Sequence, residues 1–202
     1  DLVFHFAANP EVRVGETEPR IHFEENLVTT FNLLEALRKR ESATIVFAST
    51  STVYGEATVL PTPEDYGPAI PISTYGASKQ GAEALMSAYA YTFDLHALIF
   101  RFANIVGPRA NIGVIIDFVR KLQKDANRLE ILGDGTQRKS FLYIDDCIDA
   151  VLCAVDTFLK SGHRVDAYNV GSVDQITTAR IAQIVAEEMN IKPRLIFTGG
   201  VD

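Results

Sequence analysis

The chain has 202 residues, with 19 Lys+Arg against 26 Asp+Glu for a formal charge of −7, and 47% of it is hydrophobic. At roughly 100 to 200 residues per domain this length can bury a sizeable core, which excludes disordered, collagen-like and disulfide-scaffold classes. The acidic balance leaves no basic stripe to release counterions, so nucleic acid is not an expected partner. No apolar run approaches the ~18 residues that cross a bilayer, so neither membrane insertion nor a signal peptide is expected.

In chain order, Asp1 to Ala8 reads as a buried strand running into a small-residue turn, with no element before it. Apolar residues then recur at helical spacing in Phe23, Leu27, Phe31, Leu34 and Leu37, and Thr44 to Ala48 is a short continuous apolar run. A loop rich in Pro and Gly follows from Gly55 to Ser73. A helix is predicted over Tyr75 to Phe93 and a strand over His96 to Phe100. Continuous apolar strands alternating with helices belong to parallel sheets covered on both faces, so the expected fold is α/β, a doubly wound parallel sheet. After Gly107 the pattern loosens into helices near 112–124, 145–159 and 177–189 with short strands at 129–131 and 167–170. Arg194 to Phe197 is strand-like and is followed directly by Gly199 to Asp202, where a closing helix is expected. Both ends therefore read as cut, and the chain as a fragment.

Tyr75 and Lys79 stand four residues apart, on one face of the predicted helix. A phenol titrates near pH 10, so it can act as a base near neutrality only if a nearby positive charge favours phenolate, which Lys79 could supply. Taken alone, the pair also reads as an ordinary exposed helix pair. The hydroxyl-rich run Ser49-Thr-Ser-Thr-Val-Tyr-Gly55 sits directly after a buried strand, where parallel strands present side chains to ligands. It also reads as a polar strand-to-loop turn, because Ser and Thr satisfy backbone groups there. Cys147 and Cys153, six apart in an apolar helical stretch, fit neither a metal pair nor a redox motif. They read as core thiols in a reducing, cytoplasmic compartment. His22, His96 and His163 have no ligand spacing, and no metal is expected.

Six motifs in one order resemble the extended short-chain dehydrogenase/reductases, specifically the NAD-dependent sugar-nucleotide epimerase/dehydratase family. They are His5-Phe-Ala-Ala8, Asn26 with Thr30, Ser49 to Gly55, Tyr75-Gly-Ala-Ser-Lys79, Arg101-Phe-Ala-Asn-Ile-Val-Gly-Pro108, and Leu132-Gly-Asp-Gly135 with Phe141-Leu-Tyr-Ile-Asp-Asp146. The resemblance implies a Rossmann-like sheet with its N-terminal strands missing and a smaller mixed α/β substrate-binding part. Residues 1–107 would form a partial NAD-binding domain. Residues 108–202 would be largely substrate-binding, interleaved with the last Rossmann elements.

The resemblance also implies roles: Tyr75 as catalytic acid/base, Lys79 supporting it and the nicotinamide ribose, and Thr50 holding the reacting hydroxyl. NAD is the implied cofactor, flanked by Ala7, Ala8, Asn26, Ser49, Tyr75, Lys79, Phe102 and Ala103. Thr50, Asn104, Val114, Arg138 and Lys139 would contact a UDP-sugar. Each has a plainer reading, Ala7 and Ala8 as close packing, Asn26 as a solvent-facing helical residue, Asn104 as a turn residue, and Arg138-Lys139 as a solvated basic pair. Two departures stand out. The Gly-rich pyrophosphate loop is missing, since Gly133-Asp-Gly135 has no third Gly at 138, and Lys139 occupies the position where the family commonly has Arg. Dehydratases of the family carry two carboxylates straight after the active-site Thr, whereas this chain has Ser51-Thr52, which points to C4 epimerisation of a UDP-glucose/UDP-galactose-type substrate. A sugar-nucleotide dehydrogenase or reductase would share every one of these motifs, whereas a non-catalytic NAD(P)-sensing regulator of the family would typically lose the Tyr or the Lys, and this chain keeps both. The family implies a homodimer through the helices beginning near Glu18 and Tyr75.

Overall fold

The computed structural model describes residues 1–40 and 42–199. Residues 200–202, within the stretch read as a cut end, lie outside the described residues. The chain divides into two compact units, Asp1–Ala103 with Asp146–Val170, and Asn104–Asp145 with Gly171–Asp202.

The first unit is built on a four-stranded parallel sheet in the order β1-β2-β3-β8, comprising β1 (Leu2–His5), β2 (Thr44–Thr50), β3 (His96–Phe102) and β8 (Val165–Val170). This is the doubly wound α/β arrangement read from the alternation. Six of seven residues of β2 are buried, with Ile45, Val46 and Phe47 at 1% exposure or less, as an uninterrupted apolar run between two partner strands requires. The expectation of a fully buried first strand is corrected. Leu2 and Phe4 of β1 and the following Phe6 are each more than two-fifths exposed, while His5 is buried. Among the described residues strand β1 pairs with β2 alone, and its alternating side chains differ in burial, with His5 buried and Leu2 and Phe4 exposed.

The helix anticipated from Phe23 starts earlier and is not uniform. It runs through α1 (Pro19–His22), a π-helical stretch (Phe23–Val28) and α2 (Thr29–Leu37). Proline at the start suits a helix, because its missing N–H would be unpaired there in any case. Leu34 and Leu37 of α2 join Ile45, Phe47, Ala82, Met86, Leu95 and Ile99 in one buried cluster.

Helix α3 (Thr74–Phe93) is capped by Ser73, whose Oγ accepts from the Gly76 N–H at 3.0 Å, and stops at Asp94 in the left-handed conformation. Its buried stripe changes character along its length. Ser78, Lys79 and Glu83 occupy the N-terminal half, and Met86, Tyr89 and Ala90 the C-terminal half. One helix face thus anchors the fold at one end and carries polar groups at the other. Between β2 and α3, Gly55 turns the chain at φ 62°, where a Cβ would lie 1.9 Å from the Ile70 carbonyl oxygen. Helix α5 (Ile144–Ser161) buries Cys147, Val151, Val155 and Phe158. Cys153 is exposed, which corrects its reading as a core thiol: it lies two residues from Val151 and Val155, off the stripe they share.

The second unit contains β4 (Asn104–Val106), α4 (Val114–Lys124), β5 (Arg128–Ile131), β6 (Arg138–Lys139), β7 (Phe141–Tyr143), β9 (Ile176–Thr177), α6 (Thr178–Glu188) and β10 (Arg194–Phe197). Its strands form three separate pairs, β10-β5, β4-β7 and β6-β9. Phe118 and Leu122 of α4 close its core with Leu129, Ile131, Ile181, Ala182, Val185 and Ala186.

Candidate active site

Parallel pairing brings the C-terminal ends of β1, β2 and β3 to one side of the sheet, and the site is assembled there. Strand β2 delivers Ser49 and Thr50. The Thr50 Oγ1 caps the 3₁₀ turn Ser51–Tyr54 by accepting from the Thr52 N–H at 3.2 Å, and lies 3.1 Å from Thr52 Oγ1. Helix α3 delivers Tyr75 and Lys79 from its first turns. Lys79 is 3% exposed, with Nζ donating to the Ala48 carbonyl at 2.8 Å and lying 4.7 Å from the centre of the Phe47 ring. Burial lowers its pKa to about 8, with the charge of Glu83 acting in the opposite direction. Tyr75 is half-buried, with the His22 ring edge-on at 5.6 Å. The fully buried His22 is held by Thr74 Oγ1 at 2.8 Å and by the Glu11 carbonyl at 3.1 Å.

In this protein-only arrangement, burial raises the Tyr75 pKa and a hydrogen bond with Thr50 opposes the rise. Lys79, which could supply the positive charge that favours phenolate, does not offset burial at Tyr75 in this arrangement. The ammonium is engaged by the strand carbonyl and the Phe47 face, and desolvation dominates at the phenol.

Asn26 does not face solvent. It is 2% exposed, within the π-helical stretch, and clasps the backbone just after the Ala7-Ala8 turn. Its Oδ1 accepts from the Asn9 N–H at 2.7 Å. Its Nδ2 donates to the Asn9 carbonyl at 3.3 Å and to Ser78 Oγ at 3.1 Å, and Ser78 in turn donates to the Tyr75 carbonyl at 2.8 Å. Thr30 donates to the Asn26 carbonyl at 2.6 Å and lies 2.9 Å from His5 Nε2. The turn, the helical run and the start of α3 are thus tied together by one amide. Ala7 is exposed and Ala8 half-buried beside it. Phe102, at the end of β3, stacks on Phe100 at 5.9 Å, and the Ala103 N–H donates to the Val170 carbonyl at 2.9 Å.

Glu83 was not singled out by sequence reasoning. It is 7% exposed and accepts a hydrogen bond from Ser49 Oγ and an ion pair from Arg101 Nη2 at 2.8 Å. Arg101 Nη1 also donates to the Tyr54 hydroxyl and to the Glu64 carbonyl, both at 2.8 Å, and Tyr54 donates to Asn169 Oδ1 at 2.8 Å. The available signal was register: Tyr75, Lys79 and Glu83 continue at four-residue intervals on one face.

Four residues singled out from the sequence belong to the second unit. Asn104 is exposed on β4, with Nδ2 donating to the Ser140 carbonyl at 2.9 Å. Val114 opens α4 and packs against that unit's core. Arg138 and Lys139 are both exposed on β6, opposite Thr177 and Ile176 of β9. Among the described residues no group of three or more His, Cys, Asp or Glu side chains could hold a metal, and no helix is long and apolar enough to cross a membrane.

The sequence profile of the NAD dependent epimerase/dehydratase family matches residues 1–171. The chain belongs to that family. Its relatives within the family include the UDP-glucose 4-epimerase of Corynebacterium glutamicum, 29% identical over 199 residues, 92% of this chain and 60% of that protein. A crystal structure of UDP-galactose 4-epimerase superposes with a TM-score of 0.92 at 49% identity, covering 100% of this chain and 66% of that one. The UDP-glucuronic acid 4-epimerase of Bacillus cereus, solved with UDP-glucuronic acid and NAD, superposes at 0.87 with 30% identity, over 100% of this chain and 63% of that one. Family members named as UDP-glucuronic acid decarboxylases and GDP-mannose 3,5-epimerases match at 32% identity. The chain thus spans about two thirds or less of the length of the relatives it matches.

Proposed function

We propose that the intact enzyme interconverts the C4 epimers of a UDP-hexose of the glucose/galactose type, using NAD and a 4-keto sugar intermediate. The observation that carries this reading is the cluster of Thr50, Tyr75 and Lys79 at the sheet's carboxyl edge, with the hydroxyls of Ser51 and Thr52 where an elimination chemistry would need carboxylates. Lys79 fits a dinucleotide cofactor. Its ammonium has three donors and is given one protein acceptor, leaving donors for hydroxyls such as those of a ribose. Ala7, Ala8, Ser49, Phe102 and Ala103 would line the cofactor, and Asn104, Val114, Arg138 and Lys139 would meet the substrate.

Bound NAD supplies a hydride acceptor at C4 and, later, the donor. The protein's share is proton transfer and positioning. Thr50 Oγ1 holds the C4 hydroxyl, and Tyr75 as phenolate takes its proton while the C4 hydride leaves. The cationic Lys79, one turn along α3 from Tyr75, would add positive charge on that helix face, against the effect of burial on the phenol. The ketone then turns its other face, the hydride returns to C4, and Tyr75 gives the proton back to the C4 oxygen. No net redox change remains.

The test is product analysis by NMR on the intact protein incubated with UDP-glucose or UDP-galactose. Interconversion without accumulation of NADH supports the reading. Stoichiometric NADH would assign a dehydrogenase. Turnover of UDP-glucuronate with loss of its carboxyl group, as the names of the decarboxylase relatives suggest, would replace it. A homodimer through the helical run from Pro19 and α3 is part of this reading, supported by the exposed Phe23, Phe31 and Tyr91 on those helices and checked by light scattering. So is a cytoplasmic location, supported by the two free thiols.

A further inference from the structure

Lys79 and Glu83 lie one turn apart on α3, and Glu83 also forms an ion pair with Arg101 of β3. Arg101 reaches Glu83 from β3, with Nε at 3.1 Å and 3.2 Å from the two carboxylate oxygens and Nη2 at 2.8 Å from Oε2. Ser49 reaches the same carboxylate from β2, one residue past the carbonyl that holds Lys79. Glu83 therefore touches both strands that flank the site, and its charge is fixed in direction by a planar guanidinium fork.

We propose, on the reading of Tyr75 as the acid/base, that Glu83 is the positioning residue of this site: locked by Arg101 and Ser49, it holds Lys79 in its cationic form beneath Tyr75. Without this carboxylate Lys79 would keep its contacts with the Ala48 carbonyl and the Phe47 ring but would lose the buried negative charge one turn along the helix. It is buried against the Phe47 ring, and burial already outweighs Glu83 in setting its pKa. The other groups around it do not substitute. On β1, His5 is held near pKa 4, first by burial and then by the Lys79 charge, so it is neutral at pH 7. His22 is committed to Thr74 and the Glu11 carbonyl, and Arg101 carries the same sign as Lys79. Arg13 and Glu16 of the 3₁₀ turn Val12–Glu16, Glu11 at its N-cap, and Glu24 and Glu25 of the π-helical stretch are exposed to water. Among the described residues Glu83 is the buried carboxylate of this neighbourhood, ion-paired with Arg101 at 2.8 Å.

The experiment reads the protonation of Lys79 directly. In the intact protein without NAD, the rate at which Lys79 is acetylated is followed against pH by peptide mass spectrometry. The midpoint is expected near 8 in the parent and lower by about one pH unit or more in Glu83→Gln, where Arg101 is left as an unopposed positive neighbour. In the double variant Glu83→Gln/Arg101→Gln, which removes the positive charge of Arg101 together with the negative charge of Glu83, the midpoint falls between the two. That order cannot come from loosening, because a looser site exposes Lys79 and raises its midpoint. Should Glu83→Gln not fold, the double variant alone must lie below the parent. A midpoint at or above the parent's in either variant overturns the proposal. With NAD and UDP-sugar added, the acid limb of kcat/KM in the folded variant is expected to move to higher pH, and an unmoved limb overturns the link to Tyr75. A parent protein that shows the Lys79 order but turns over no UDP-sugar would fail as an epimerase while keeping this pair.

Discussion

At Tyr75 a single oxygen separates the proposed acid/base from an inert ring of nearly the same shape. Tyr75→Phe in the intact enzyme is expected to lower kcat by ~10²- to 10⁴-fold with an unchanged circular dichroism spectrum and melting temperature. Activity within a few-fold of the parent would remove the role proposed here. Thr50 is a stricter case because its hydroxyl has two duties, toward Tyr75 and toward the Thr52 N–H. Thr50→Ser keeps both and should retain most activity. Thr50→Val is isosteric but can do neither, so both kcat and the melting temperature should fall; equal rates for Ser and Val would sink the proposed contact. Of these site residues, Tyr75, Lys79 and Thr50 were legible because motif order marks them. Glu83 was not, since its meaning lies in Arg101 and Ser49, which are near it only once three elements have packed.

Among the elements, strand β2 and helix α3 stood out in the sequence because burial on both faces and a well-capped twenty-residue helix each leave a periodic trace. The two- and three-residue strands β4, β6, β7 and β9 are too short for any alternation to register. The π-helical stretch was hidden for a related reason: one extra residue shifts the register without changing which residue types are apolar. Helix α3 offers a test of how far its N-terminus depends on local chemistry. Ser73→Ala removes the acceptor for the Gly76 N–H and should cost about 1 kcal/mol in chemical denaturation. A loss near zero would mean that tertiary packing alone sets where this helix starts, and hence where Tyr75 stands.

For the whole molecule, the buried His5 gives stability a pH signature. Its pKa falls from 6.5 to about 4 on folding, first through burial and then through Lys79, so protons bind the unfolded chain more readily than the folded one. Stability from this group is fully present above pH 6.5, declines as the pH drops below it, and is lost through the folded value near 4. Thermal unfolding of the intact protein between pH 7 and 4 should show that decline, and a His5→Gln variant, which cannot titrate, should show a shallower one. Parallel curves would assign the acid sensitivity elsewhere.

The wider turn that carries Asn26 also makes the helical run intolerant of shortening. Each residue of an ordinary helix advances the chain by about 100° around its axis, so removing one residue between Phe23 and Val28 would rewind the stretch as a regular helix and rotate everything before it by that angle relative to α2. His22 and Leu34 could then no longer both face inward. A substitution at exposed Glu24 or Glu25 removes one surface contact, with Arg20 or with the Asn9 amide, but deleting either would swing the His22 support away from Tyr75. Apart from Asn26, it is the number of residues in this stretch, more than their identity, that this arrangement depends on.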